Sequence, residues 1–241
     1  VVVAKRREEA AHVALTAAAV TPDVFLLDDG FQHLRVARNA NLLIVNPEKP
    51  FWEDALIPSG RLREASTAAT RANGFLIIGA DTETGMELHN RFPEHPWFEL
   101  TRQTPCCWSL GQEIPRAWPT SENKGATETR LKGSAFAFAG IARPERFFED
   151  LEADGVSLKG QCTFPDHHEF RPQDVTRVVK MAQKCGADTL VTTEKDAVRL
   201  PSKGLRLPLK VWGYRLQTSS PETLVSWLKE LTGLSSLPDA A

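Results

Sequence analysis

Short, continuous apolar runs that end at polar residues restrict the fold of this chain more than any other feature. Such runs are typical of parallel strands buried on both faces, whose connections are usually helices. The stretch Lys5–Val20 between the first two runs is rich in alanine and charged residues, which favours a helix. The sequence therefore predicts an α/β fold with mostly parallel sheets and strands at Val1–Val3, Val24–Leu27, Asn41–Val45, Gly74–Ile78, Ser134–Ala139, Val156–Cys162 and Thr189–Thr192.

Two domains are predicted, because this pattern weakens between Trp97 and Trp118. The first spans residues 1–103, and the second, smaller one spans residues 104–218. We expect an isolated, exposed strand at Phe98–Thr101 to pair with a late strand at Leu209–Leu216 and form a two-stranded β linker. A final helix within residues 219–241 is expected to pack back on the first domain. Further helices are predicted at Ala65–Ala72, Pro144–Ala153 and Arg171–Cys185, and a polar loop at Pro119–Gly133.

Composition excludes several classes of function. The net charge of -2 offers no basic excess for binding nucleic acid. The longest apolar runs, such as Phe75–Ile78, are far shorter than the ~20 residues of a membrane-spanning helix. The cysteines lack the spacing of a structural zinc site, and we expect them to be reduced thiols.

Asp28 and Asp29 form the first candidate site. They follow the apolar run Val24–Leu27, as in a Walker B strand, at the strand end where ligands of open α/β sheets bind. Mg²⁺ takes one or two carboxylates together with phosphate oxygens and water. A strand that merely ends in Asp is the structural alternative, although adjacent carboxylates repel each other and usually need a cation.

Three further segments could carry chemistry, each with a structural alternative. Pro58–Glu64 offers arginines that bind phosphate in bidentate fashion, or it is a solvated loop before a helix. Phe164–His168 offers a histidine as base, orienting partner or metal ligand, or it is a polar loop. Thr192–Asp196, followed by Arg199, ends a strand and opens a helix, and Thr193 could be no more than its N-cap.

Together these segments resemble the tetraacyldisaccharide 4'-kinase family, the lipid A 4'-kinases. The resemblance covers nearly the whole chain, and its specificity lies in the order of the segments. It implies two α/β/α domains joined by a two-stranded β linker, the first being a P-loop-NTPase-like core. It also implies transfer of the γ-phosphate of ATP to the 4'-hydroxyl of tetraacyldisaccharide 1-phosphate, which gives lipid IVA. The matching stretches are Leu27–His33, Leu56–Glu64, Phe138–Pro144, Phe164–His168 and Thr192–Leu200.

The resemblance assigns catalytic and cofactor-binding roles by position. Asp28 and Asp29 would be the Walker B carboxylates, which hold Mg²⁺ and serve ATP. His167 would be the second-domain histidine that assists the catalytic carboxylate, which the family supplies from an acidic segment that this chain lacks. The resemblance further implies a peripheral protein on the cytoplasmic face of the bacterial inner membrane, and we expect a monomer.

The resemblance also implies a substrate region. Arg63 and Glu64 would lie in it, beside Gln32 and His33. Arg7 looks like the family's arginine after the first strand, with Arg6 as the alternative register.

The chain departs from the family pattern at its start. It contains no Gly-x-x-x-x-Gly-Lys-[Ser/Thr], the loop that cradles phosphates, and it begins at Val1 without a methionine. We therefore expect an N-terminally truncated fragment that alone has little or no kinase activity.

Two other functions remain open from the residues alone. Asp166, His167 and His168, with Asp28 and Asp29, could bind metal in a phosphoesterase, although such enzymes need several separate ligand segments. A nucleotide-binding module without catalysis is the other alternative, because a fold does not fix a function.

Overall fold

The computed structural model describes residues 4–17, 22–103, 105–111, 131, 133–201 and 207–234. The chain divides into two compact units at Thr101 and at Gln217, and the second unit is the part between these points. The division predicted after residues 103 and 218 falls close to them, and the roles of the two parts stay predictions.

The described residues form the following helices and strands. In chain order they are α1 (Arg7–Ala17), β1 (Leu42–Val45), β2 (Gly74–Ile78), α2 (Thr82–Arg91), β3 (Trp97–Arg102), β4 (Cys106–Ser109), β5 (Ser134–Ala139), α3 (Pro144–Ala153), β6 (Ser157–Thr163), α4 (Pro172–Lys184), β7 (Thr189–Thr193), α5 (Glu194–Ala197), β8 (Leu209–Gly213), β9 (Leu216–Thr218) and α6 (Pro221–Thr232), with short 3₁₀ helices at Phe51–Glu53 and Ser66–Arg71.

The first unit contains a four-stranded sheet in the order β1-β2-β3-β9. Strands β1, β2 and β3 run parallel, with Leu42 opposite Gly74 and Phe75 opposite Trp97. Apolar residues from β1, β2 and α2 meet beneath the sheet, as expected for buried parallel strands. One buried cluster of this unit contains Val45, Ala69, Ala72, Phe75, Ile77 and Leu88.

The strand near Phe98 is not isolated, which corrects the sequence-based prediction. It forms a parallel ladder with β2, and Phe98 is buried opposite Leu76. Its ring also lies against Trp227 of α6, with 5.5 Å between ring centroids. The polar residues Glu99 and Thr101 make the segment look exposed, because only the alternate positions of a strand point to the same face.

The predicted strand Leu209–Leu216 is in fact two elements. Strand β8 lies between β4 and β7 in the sheet of the second unit, whereas β9 is the neighbour of β3. The pairing predicted for the whole segment with the Phe98 strand therefore holds only at its end, where β9 begins at Leu216. Between the two strands the chain changes sheet at Tyr214 and Arg215.

The apolar run Val24–Leu27 forms no strand, which corrects a second prediction. Its residues are mostly exposed, with Leu26 at 92%. A strand needs a neighbour to satisfy its backbone hydrogen bonds, and β1 is an edge strand among the described residues. The predicted first strand, Val1–Val3, lies outside the described residues, as does most of the predicted loop Pro119–Gly133.

The second unit contains a five-stranded sheet in the order β4-β8-β7-β5-β6. Four strands are parallel, and β4 at the edge is antiparallel to β8. Helix α3 covers one face through Phe147, Phe148 and Leu151. Helix α4 covers the other through Val175 and Val178. The prediction of an α/β fold with mostly parallel sheets is confirmed. In the part of the chain that is described, no helix combines the length and the apolarity that crossing a bilayer requires.

Candidate functional site

The turn Asp28–His33 presents carboxylates on the surface of the first unit. Asp29 has a φ of 46°, a left-handed conformation that Asp adopts more readily than most residues. Gly30 is buried, and a Cβ there would lie 2.7 Å from Cβ of Leu27, so a side chain would not fit. Arg38 closes the turn by donating from Nη1 to the carbonyl oxygen of Gly30. Asp28 and Asp29 are both exposed.

Glu64 connects this turn to a segment far along the chain. Its Oε1 accepts a hydrogen bond of 3.1 Å from Nε2 of Gln32. Both of its carboxylate oxygens accept from Nη2 of Arg71 at 2.8 Å. The guanidinium of Arg71 in turn lies 5.0 Å from the ring centroid of Phe31. This network fixes Gln32 and Glu64 relative to each other.

Arg63 places a positive charge beside the acidic turn. Its Nη1 lies 3.9 Å from Oδ2 of Asp29 and 3.5 Å from Oε1 of Gln32. The side chain is 68% exposed. Because an exposed ion pair at this distance is weak, both groups stay accessible to a charged ligand. The structure thus brings together Asp29, Gln32, Arg63 and Glu64, all of which the sequence indicated.

Arg7 and His33 line a separate basic cleft of about 540 Å³ in the same unit. Nε2 of His33 is buried there, and no described residue forms a hydrogen bond with it. Positive residues outnumber acidic ones in the lining, which favours an anion. The lining residues are Lys5, Arg6, Arg7, Glu8, His33 and Arg35.

The second unit carries a polar turn at His167. This residue has a φ of 60°, and its N–H donates to the carbonyl oxygen of Gly140 at 3.1 Å. Nδ1 of its ring lies 2.9 Å from Nη2 of Arg199. Nε2 lies 3.8 Å from Oδ2 of Asp166, and the side chain is 78% exposed. The ring is therefore held on one side and open on the other.

The neighbouring His168 is held in place by contacts with other side chains. Its Nε2 lies 3.1 Å from Oδ2 of Asp174, at the start of α4. Its ring stacks on Phe164, with 4.8 Å between centroids. Of the two adjacent histidines, His167 is the one available to a ligand. Elsewhere too, the described residues include no group of three or more His, Cys, Asp or Glu side chains that could hold a metal ion.

Backbone strain marks two of the residues indicated by the sequence. Asp29 and His167 are the non-glycine residues with positive φ in the described part of the chain. Such conformations cost about 1–3 kcal/mol and cluster at functional sites. This observation supports the choice of both residues independently of the sequence.

Asp196 is a buried carboxylate of the second unit to which the sequence assigned no individual role. It is fully buried, and its Oδ2 accepts from the N–H of Gly140 at 3.0 Å and from Oγ1 of Thr193 at 2.8 Å. The segment Thr192–Asp196 was identified as one that could carry chemistry, but no role was assigned to Asp196 within it. A carboxylate so close to a strand end, followed by an arginine three positions later, was the available signal.

Similarity to known proteins extends along the chain. It matches the family model of LpxK, tetraacyldisaccharide-1-P 4'-kinase, over residues 1–232. It is 38% identical over 194 residues to the tetraacyldisaccharide 4'-kinase of Desulfotalea psychrophila, covering 78% of this chain and 52% of that protein. It is 34% identical over 226 residues to the protein of that name from Gluconobacter oxydans, covering 92% and 61%. The chain spans about half the length of the curated relatives it matches.

A solved structure is also similar. It is the crystal structure of an "apo" form of LpxK from Aquifex aeolicus in complex with ATP, with a TM-score of 0.65. The match has 24% identity and covers 94% of this chain and 62% of that one. A likeness at this level of identity shows a shared fold.

Proposed function

Since the chain belongs to the tetraacyldisaccharide 4'-kinase family, we propose that its function is that of an ATP-dependent phosphotransferase in lipid A biosynthesis. The reaction transfers the γ-phosphate of ATP to the 4'-hydroxyl of tetraacyldisaccharide 1-phosphate and gives lipid IVA. The observation that carries the proposal is the hydrogen-bonded cluster of Gln32, Arg63 and Glu64 beside the strained Asp29.

Phosphoryl transfer depends on positioning and on charge neutralisation more than on covalent help. Asp28 and Asp29 fit a magnesium site, because they are adjacent, exposed carboxylates and Mg²⁺ needs only one or two from the protein. When bound, Mg²⁺ neutralises phosphate charge. The protein's own contribution there is to hold both carboxylates on one rigid turn, which Arg38 closes.

Arg63, Gln32 and Glu64 are proposed to contact the substrate. The exposed guanidinium of Arg63 suits an anionic group of the phosphorylated sugar or of ATP. Glu64 and Gln32 hold each other at 3.1 Å and therefore offer pre-oriented polar atoms. The basic cleft that contains Arg7 and His33 suits a further phosphate of either ligand.

His167 is proposed to assist the catalytic carboxylate. Its exposed Nε2 is not hydrogen-bonded to Asp166, from which it is separated by 3.8 Å. A histidine in this setting can orient a carboxylate or move a proton. The protein is further proposed to act as a monomer on the cytoplasmic face of the inner membrane.

A kinase assay tests the proposal. The complete gene product that contains residues 1–241 is incubated with Mg-ATP and tetraacyldisaccharide 1-phosphate, and the lipid product is separated and quantified. We expect turnover that Asp29→Asn lowers at least about 100-fold, since one electrostatic contact in a site contributes about that much. Glu87→Gln, an exposed change on α2, serves as the control.

The alternatives give different results in the same assay. Manganese-dependent hydrolysis of a phosphodiester without lipid phosphorylation would support the phosphoesterase. ATP binding without turnover, unchanged by Asp29→Asn, would support the nucleotide-binding module.

A further inference from the structure

Asp196 is a buried carboxylate whose charge needs a partner inside the second unit. Its Oδ2 is satisfied by Gly140 and Thr193, but Oδ1 is buried and has no hydrogen-bond partner among the described residues. A buried charge is strongly unfavourable unless it is paired. Nη1 of Arg199 lies 3.8 Å from this oxygen and is itself buried, with no hydrogen-bond partner in the part of the chain that is described. The two groups therefore form an ion pair shielded from water.

Arg199 contacts His167 with the other end of the same guanidinium. Nη2 lies 2.9 Å from Nδ1 of the imidazole, while Nη1 faces Asp196. Because the guanidinium is planar and rigid, fixing one nitrogen also fixes the other. The buried carboxylate thereby sets the position of the donor that meets the exposed ring.

This contact determines which nitrogen of His167 carries hydrogen. A guanidinium has only donors, so Nδ1 must be the acceptor of the 2.9 Å hydrogen bond. The neutral ring then carries its hydrogen on Nε2. That nitrogen belongs to the exposed side of the ring, 3.8 Å from the nearest oxygen of Asp166.

The backbone of the same residues is linked as well. Gly140 donates its N–H to Asp196 and accepts the N–H of His167 through its carbonyl oxygen. A Cβ at Gly140 would lie 3.2 Å from the carbonyl oxygen of Pro165 and 3.3 Å from Oδ1 of Asp196, which is tighter than an ordinary contact. The N–H of His167, which has a φ of 60°, is thereby anchored to the carbonyl oxygen of Gly140.

We propose that Asp196 and Arg199 are positioning residues that fix the ring of His167 as the Nε2–H tautomer, with Nε2–H directed away from Arg199 as a donor for an acceptor at the reaction site. The inference deepens the proposed function and rests on it for the role of His167. An orienting chain of this kind, in which one group sets the tautomer and direction of a histidine, is a general device of acid–base catalysis.

Nitrogen NMR of the ring tests the tautomer without any need for kinase activity. Residues 1–241 are labelled with ¹⁵N-histidine, and the two- and three-bond ring correlations of His167 are recorded at about pH 8.5, above the usual histidine pKa. We expect unprotonated Nδ1 and protonated Nε2 in the wild type. Arg199→Leu should give averaged nitrogen shifts from two exchanging tautomers, and Arg199→Lys, which is still only a donor, should restore part of the wild-type pattern. Hydrogen on Nδ1 in the wild type, or the same pattern in Arg199→Leu, would overturn the proposal.

Kinase kinetics of the complete gene product test whether the positioning of His167 by Arg199 affects catalysis. Arg199→Leu should lower kcat about 10- to 100-fold, within the usual range of acid–base assistance, and leave KM for both substrates within about twofold. Arg177→Leu removes an exposed arginine of α4 in the same unit and should change neither. Equal losses in both variants, or an unchanged kcat in Arg199→Leu, would reject the positioning role. An inactive wild type would reject the proposed function, while the NMR result would still decide the tautomer.

Discussion

Glu64 and Arg71 form an ion pair whose contribution to the stability of the first unit follows from its geometry. Nη2 of Arg71 donates to both carboxylate oxygens at 2.8 Å, and the side chains of Arg71 and Glu64 are 35% and 32% exposed. Charge-assisted hydrogen bonds are roughly twice as strong as neutral ones, but partial exposure weakens the pair. We therefore expect a coupling free energy of about 1 kcal/mol between the two side chains.

Glu87 and Arg91 provide a matched control pair. Their closest approach is 2.6 Å, and the side chains of Arg91 and Glu87 are 45% and 41% exposed. Arg91 lies over Trp52 at 5.3 Å from the ring centroid, as Arg71 lies over Phe31 at 5.0 Å. Because this pair joins neighbouring turns of one helix, we expect a coupling of only about 0.3–0.5 kcal/mol.

Two double-mutant cycles measure these couplings. They combine Glu64→Gln with Arg71→Met, and Glu87→Gln with Arg91→Met, so that each change removes charge and keeps most of the side-chain volume. Native-state hydrogen exchange of the amides of β2 reports the unfolding of the first unit alone. A coupling for Glu64 and Arg71 no larger than that of the control pair would show that the network does not fix the site, and the structural reasoning about Gln32 and Arg63 would then be wrong.

Three further predictions concern the second unit. The ring of Phe136 in β5 is fully buried, so Phe136→Ala should lower the free energy of unfolding by about 3–5 kcal/mol. Unfolding in urea measures this loss. A loss below about 1 kcal/mol would contradict the packing described for this ring. Burial raises the pKa of the Glu194 carboxyl in the folded protein, and Arg215 acts in the opposite direction. Deprotonation of Glu194 is therefore less favourable in the folded than in the unfolded protein. The stability of the wild type relative to Glu194→Gln should fall as pH rises from the unfolded pKa of 4.5 through the raised folded pKa. A difference in stability that does not change with pH would exclude this assignment. Burial, followed by the Glu194 carboxylate, raises the pKa of the Cys106 thiol to about 12; a thiol reagent at about pH 8 should therefore modify the exposed Cys185 quickly and Cys106 only on unfolding.

The local pattern of apolar residues predicted most helices and strands correctly. The spacing of apolar residues along the chain depends on which face of a helix or strand is buried. Strand β5 is where the sequence indicated it, because its residues are apolar on both faces and β6 and β7 flank it. Helix α4 likewise lies within the predicted range Arg171–Cys185, and its buried face carries Val175, Val178 and Val179. The region of α2 was not identified as a helix, although Asp81 caps it by accepting from the N–H of Thr84 at 3.1 Å.

Pairing between strands was harder to predict than the strands themselves. Val24–Leu27 has the composition of a strand but lies exposed, whereas β3 looks exposed and is part of a parallel ladder. Hydrogen bonding to a neighbour decides whether an apolar run becomes a strand. That neighbour is set by the tertiary structure and not by the run.

The sequence by itself determined the fold class, the family and the residue types available for chemistry, since these follow from periodicity and from the order of short segments. Only the tertiary structure decided which of those residues meet. It joined Gln32 to Glu64, and it separated the exposed His167 from the anchored His168. It also placed a buried Asp196 behind Arg199, an environment that depends on contacts with Gly140, distant in the chain. Burial and hydrogen-bond direction depend on the neighbours against which a side chain packs. The orientation of the His167 ring could therefore be determined only from the folded protein.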